Sequence, residues 1–219
     1  MHRQFLDRTV AGQALAQRLL ELALPGPLVV LALPRGGVPV AVEVARALGA
    51  PLDLVLVRKI GAPWQPELAV AAVVEGDPPE IVVDEEVQRQ IGVDDQYIQA
   101  RAAGELLEIR RRRLVYLKGR PPAEVEGRTV IVVDDGVATG TTMRAALKAL
   151  RMRRPARLVL AVPVAPADTL EALRAEVDQV VCLAQPFPFH AVGQHYVDFH
   201  QVGDDEVVAA LDAVAATGP

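Results

Sequence analysis

Two adjacent carboxylates, Asp134 and Asp135, stand between an apolar run and a loop of small residues in residues 130–142, VIVVDDGVATGTT. Val130, Ile131, Val132 and Val133 are β-branched without alternation, which predicts a strand covered on both faces of a parallel sheet. The carboxylates then fall at its carboxyl end, the edge where open α/β sheets bind ligands. Gly136, Ala138 and Gly140 allow a tight turn and close approach to a ligand. Thr139, Thr141 and Thr142 supply hydroxyls and begin a helix, whose first amides favour a phosphate. The chemistry this suits is the holding of a sugar phosphate, although a strand followed by a capped helix with no ligand has similar composition.

A second anion-binding composition occurs at residues 33–37, Leu-Pro-Arg-Gly-Gly, after one predicted strand and before a predicted helix. Gly36 and Gly37 let amides converge on an anion, and Arg35 adds a planar cation suited to paired phosphate oxygens. Arg58 and Lys59 end another predicted strand, which puts them at the same edge, either as ligand contacts or as solvated charges. Glu67 lies in a turn-rich segment beyond them and reads as a surface carboxylate rather than a metal or base contact.

Together these motifs resemble the type I phosphoribosyltransferases, whose signature is a hydrophobic strand, two acidic residues and a Thr/Gly-rich phosphate loop. The resemblance covers roughly residues 28–184. It implies that the loop from Gly136 and Val137 through Ala138, Thr139, Gly140, Thr141 and Thr142 takes the 5-phosphate of phosphoribosyl pyrophosphate (PRPP). By the same likeness, Asp134 and Asp135 take the ribose hydroxyls and assist magnesium directly or through water. Arg35, Gly36 and Gly37 would hold the pyrophosphate, with the Pro34–Arg35 peptide as the candidate for a cis bond, and Lys59 would reach a pyrophosphate oxygen. The implied reaction transfers ribose 5-phosphate to a nitrogen base and releases pyrophosphate, with Asp134, Asp135, Arg35 and Lys59 as catalytic residues.

The acceptor base is less legible. Ala138 stands where relatives that use 6-oxopurines carry an acid, and is similar instead to the adenine-using branch, so a purine-like heterocycle is favoured. Residues 185–202 form a candidate hood rich in rings. Phe187 or Tyr196 would stack on the base, or these rings close the end of the sheet as core. The runner-up function is a PRPP-sensing protein without catalysis. Retention of Arg35, Lys59 and both aspartates favours the enzyme, and the chain looks too short for a PRPP synthase.

The elements that must position these residues alternate as in a doubly wound sheet, an open and mainly parallel α/β architecture with helices on both faces. Strands are predicted at 28–33, 52–57, 68–74, 129–134, 157–163 and 179–184. Helices are predicted at 8–23, 38–48, 141–152, 167–176 and 204–215, with a helical insertion at 84–118. The 219 residues, 51% of them apolar, suit one domain with elaborations. A net charge of -5 and a pI near 5.4 argue against bulk attraction to nucleic acid or anionic membrane. The run Arg110–Arg113 reads as solvated or intersubunit helix surface. A lone cysteine, Cys182, excludes an intramolecular disulfide. Without a long apolar segment or signal-like N-terminus, the expected location is the cytoplasm, and family likeness implies a homo-oligomer.

Overall fold

The computed structural model describes residues 4–76 and 78–216 apart from the side chain of Glu67, so the expectation for that carboxylate lies outside the described residues. Helix α1 (Arg8–Glu21) starts at Asp7, whose side chain accepts the Val10 N–H and so satisfies one of the free first-turn amides. Strand β1 (Leu28–Ala32), helix α2 (Gly37–Leu48) and strand β2 (Leu52–Leu54) follow. Next come three further strands, β3 (Val57–Ala62), β4 (Gln65–Val74) and β5 (Glu80–Val83). Helices α3 (Glu85–Ile91) and α4 (Asp95–Leu117) fill the expected helical insertion, each capped by an aspartate, Asp84 and Asp94. The chain continues through β6 (Thr129–Val133), α5 (Thr141–Met152), β7 (Arg157–Val164), α6 (Ala167–Leu173), β8 (Gln179–Ala184) and α7 (Asp204–Ala216).

Five strands form one parallel sheet in the order β2-β1-β6-β7-β8. Because side chains alternate along a strand, Val30, Ile131, Val133 and Val159 pack into one core with residues of α1, α2, α4 and α7. Val29, Val130, Val132 and Leu158 pack into the other, with Met143, Leu147 and Leu150 of α5 and Leu170 of α6. The fold is therefore α/β, a parallel sheet with helices on both faces. Helix α2 leaves β1 toward β2 on one face, whereas α5 leaves β6 toward β7 on the other. The switch point lies between the neighbouring strands β1 and β6, and in such sheets the ligand crevice opens there.

Two of the expected strands do not join this sheet as expected. The run expected at 52–57 divides, with only residues 52–54 pairing with β1, and the run at 68–74 lies within β4 of a separate antiparallel sheet ordered β3-β4-β5. The reason is the connection. Only Pro63 and Trp64 separate β3 from β4, and a parallel pairing needs a crossover of a dozen or more residues, so the two must form a hairpin. The run Arg110–Arg113 also departs from a uniformly solvated face. Arg111 and Arg112 pair with Glu108, but Arg113 is largely buried between Glu75 at 2.9 Å and Asp53 at 3.3 Å. No helix among the described residues is long and apolar enough to cross a membrane.

Ile131 is fully buried in the central strand of the parallel sheet. Ile131→Ala is expected to cost about 3 kcal/mol through lost transfer energy and a residual cavity. Urea denaturation at neutral pH measures this, and a loss below about 1 kcal/mol would contradict the packing described.

Candidate active site

The two loops singled out in the sequence meet at the switch point. Leu33 N–H donates to the Val133 carbonyl at 2.9 Å, carrying the β1–β6 pairing into the loops. The backbone of residues 36–37 then lies directly against the acidic pair. A Cβ on Gly36 would fall 2.1 Å from Asp135 Oδ2, and one on Gly37 would fall 2.8 Å from the Val133 carbonyl oxygen. Neither position has room for a side chain. The Pro34–Arg35 peptide is cis, at the position the resemblance implied.

Both helices that start here lack a side-chain cap. Helix α2 begins after Gly36, and α5 begins after Gly140, which has φ of +76°, a left-handed conformation that glycine adopts without strain. The first amides of α5 have no intrahelical acceptor, which leaves an anion-binding helix start beside the carboxylates, whereas at α2 the Gly37 and Val38 N–H groups donate to the Leu33 and Arg35 carbonyls and Pro39 has no N–H. The loop 136–140 is pinned from outside: Val137 N–H donates to the Val164 carbonyl at 3.0 Å, and Thr169 Oγ1 donates to the Ala138 carbonyl at 2.7 Å. Thr139 and Thr141 are exposed, while Thr142 is half-buried.

The two aspartates have different surroundings. Asp135 is buried, its Oδ2 accepting from Arg8 Nε at 2.8 Å, while its carbonyl accepts from the Tyr196 hydroxyl. Arg8 also donates to the His200 carbonyl at 2.9 Å and lies 3.9 Å from the centre of the Phe199 ring, a cation–π contact. Asp134 makes no ion pair among the described residues, and its Oδ1 accepts the Asp135 N–H at 2.8 Å. Burial, reinforced by the neighbouring carboxylate, holds the Asp134 carboxyl well above the usual range. Burial also raises Asp135, against the opposing pull of Arg8. Asp134 is thus the carboxylate without a cationic partner.

The remaining expected residues are placed differently from one another. Arg35 stands at the mouth of the crevice, 3.5 Å from Asp204, which also accepts the Tyr116 hydroxyl at 2.7 Å. Arg58 and Lys59 lie on the β3–β4 hairpin and not at the end of a parallel strand. Arg58 pairs with Glu105 of α4 at 2.8 Å, and Lys59 is exposed without an ion pair among the described residues. Tyr196 is only 3% exposed, its ring packed 5.1 Å from Phe199 and 5.7 Å from Phe5, so it closes the hood as core and offers no face to a heterocycle. Phe187 is 90% exposed. Between the Arg35–Gly36 loop and the hood lies a cavity of about 360 Å³, lined by Arg8, Asp135, Phe199, His200 and Gln201. Arg8 escaped the sequence reading because its partners, Asp135 and His200, are separated from it by more than a hundred residues, and nothing local marks it.

Residues 8–198 match the phosphoribosyl transferase domain. The chain belongs to that family. It is similar, at 48% identity and a TM-score of 0.82, to the solved structure of TT1426 from Thermus thermophilus, over 95% of this chain and 97% of that one. Two Mycobacterium tuberculosis proteins, provisionally named phosphoribosyl transferases, are 47% identical over 208 residues. That match takes in 95% of this chain but 46% of theirs, so the chain spans about half the length of these curated relatives. A shorter stretch of 42 residues is 57% identical to the bifunctional protein PyrR of a Roseiflexus species, covering 19% of this chain and 23% of that protein.

The unequal carboxylates make opposite predictions. The raised Asp134 carboxyl binds its proton more tightly folded than unfolded, so its contribution to stability is lost as pH rises above the unfolded value and through the folded one. Asp134→Asn is therefore expected to raise the thermal midpoint at pH 7, with the gain shrinking toward pH 4. Asp135→Asn is expected to cost about 2 kcal/mol, because Arg8 stays buried with its charge unpaired. Thermal melts of both variants across that pH interval check this, and equal signs for the two would contradict the division.

Proposed function

We infer that this protein is a phosphoribosyltransferase that moves ribose 5-phosphate from PRPP to a nitrogen base and releases pyrophosphate. The single observation that carries the reading is the seating of the Arg35–Gly36 loop and the uncapped start of α5 on either side of the acidic pair at the switch point. PRPP has the matching form: phosphate groups at two ends and a ribose diol between them. The 5-phosphate fits the amides and hydroxyls of residues 136–142. The pyrophosphate fits the loop of Arg35, Gly36 and Gly37. Asp134 accepts hydrogen bonds from the ribose hydroxyls, and its charge favours the positive ribose ring that develops as the anomeric bond to pyrophosphate breaks. Asp135 acts through Arg8, holding the loop and hood in place.

Magnesium fits this donor set as an ion carried by the substrate. Asp134 supplies an oxygen donor, and no group of three metal-binding side chains occurs among the described residues. When bound, it would neutralise charge on the pyrophosphate oxygens. The acceptor base fits the cavity of about 360 Å³ between the Arg35–Gly36 loop and the hood, next to Phe199 and His200. A purine-like heterocycle is the first choice, because Ala138 leaves no acid in the loop. A second reading, PRPP binding without transfer, is favoured by one observation: Lys59 lies on the β3–β4 hairpin and not at the end of a parallel strand.

The deciding experiment measures pyrophosphate release from PRPP and magnesium across a panel of purines, pyrimidines and other nitrogen heterocycles, with product masses confirmed. Turnover with a purine-like base is expected, and Asp134→Asn is expected to lower kcat/KM at least a hundredfold, about 2.7 kcal/mol. PRPP binding by calorimetry with no turnover on the whole panel would favour the sensor. Unchanged PRPP affinity in Asp134→Asn would remove Asp134 from the site.

A further inference from the structure

The backbone of the Arg35–Gly36 loop is fixed from within: Gly37 N–H donates to the Leu33 carbonyl at 3.1 Å and Val38 N–H to the Arg35 carbonyl at 3.2 Å. With those two amides engaged, the Arg35 guanidinium is the loop's principal donor toward an anion. Among the described residues its one ion pair is the 3.5 Å contact of Nη1 with Asp204 Oδ1. The same oxygen accepts the Tyr116 hydroxyl at 2.7 Å. Tyr116, near the end of α4, is 1% exposed and lies in the core that also holds Val207 and Leu211 of α7, so its ring is fixed whereas Arg35 and Asp204 are only half-buried. Burial and the bond to Asp204 push its hydroxyl up to a pKa of about 12, which keeps it a donor throughout the neutral range. Arg111 also feels the charge of Asp204, but both oxygens of Glu108 hold it, so Arg35 is the cation that Asp204 orders.

We propose that Tyr116 and Asp204 are positioning residues for the pyrophosphate end of the substrate: Tyr116, acting through Asp204, sets the Arg35 guanidinium beside its loop before a ligand arrives. The inference rests on the reading of this crevice as a PRPP site. An arginine loses rotamer freedom when a ligand fixes it, and one already ordered in the free protein loses less. A guanidinium has five N–H donors, and a single contact at Nη1 leaves the others for pyrophosphate oxygens. The Tyr116 hydroxyl donates to the carboxylate oxygen nearest Arg35 and offsets part of its negative charge, which limits repulsion of an arriving anion. Neither residue belongs to the motifs that carry the family likeness: Tyr116 comes from the helical insertion, and Asp204 from the first turn of α7. Asp134, Asp135 and the loop 136–142 take no part in this chain of contacts, so its effect is confined to one end of the substrate.

Calorimetric titration of the whole chain with magnesium pyrophosphate and, separately, with ribose 5-phosphate tests this, because the two ligands belong to opposite ends of the proposed site. Tyr116→Phe keeps the ring and removes the donor. It is expected to weaken pyrophosphate binding about fivefold, as is Asp204→Ala, while ribose 5-phosphate affinity stays within about twofold of wild type. In the Asp204→Ala background, Tyr116→Phe is expected to add nothing further. In turnover, Tyr116→Phe is expected to raise KM for PRPP by about the same fivefold, with kcat within about twofold. Unchanged pyrophosphate affinity in both variants overturns the proposal. Equal losses for the two ligands also overturn it, because Tyr116 would then support the fold as a whole and not Arg35. If the wild-type chain binds no PRPP while its pyrophosphate affinity still depends on Tyr116, the PRPP reading fails and the positioning stands. If PRPP turns over with one KM in all of these proteins, the PRPP reading stands and the positioning fails.

Discussion

The contact on which the rest of the site depends is the seating of residues 36–37 against Asp134 and Asp135. Two loops that follow neighbouring parallel strands are brought so close that a methyl group at Gly36 would overlap the Asp135 carboxylate. That proximity sets the Arg35–Gly36 loop and the start of α5 beside one acidic pair, and it removes water from both carboxylates. Burial therefore raises both acids, and the cost is borne by the folded chain. Such a cost is common where a site is preorganised for a ligand that supplies the missing hydrogen bonds.

Arg8 holds this arrangement. One guanidinium joins the first helix, the second aspartate and the hood, through Asp135, the His200 carbonyl and the Phe199 ring. The hood is fastened again where Phe5 pairs with Tyr196 and where the Tyr196 hydroxyl reaches the Asp135 carbonyl. His200, lifted toward its charged form by Glu206 and Asp198, ties the hood to the start of α7. The two carboxylates of the motif consequently divide their work. One is bound into the scaffold through Arg8, and the other makes no ion pair among the described residues.

The helical insertion is part of the same construction. Tyr116 near the end of α4 donates to Asp204 at the start of α7, and Asp204 is also the partner of Arg35. From further back along α4, Arg113 reaches to Asp53 and Glu75, and burial raises Glu75 despite that pairing. Because those acids are buried, the pair is costly to break from either side. The insertion thus spans from the anion loop to the edge strand of the parallel sheet.

Much of this was legible in the sequence. The β-branched run 130–133, the acidic pair, the glycine and threonine loop and the Arg-Gly-Gly turn are local patterns, and local patterns suffice to place a strand, its carboxyl edge and a helix start. The helical insertion, the terminal helices and the parallel core followed from periodicity in the same way. The hairpin at 57–74 has a local signal as well, the two-residue gap between its strands, but the alternating βαβ rhythm around it masks that gap. What the sequence by itself determined was therefore the family's motifs and the edge of the sheet where they act. Only the tertiary structure decided which aspartate lacks an ion pair, that Tyr196 is buried and Lys59 stands on a hairpin, and that Arg8 and Arg113 are interior. Those outcomes depend on partners far away along the chain, and charge pairing and burial over such separations leave no periodicity to read.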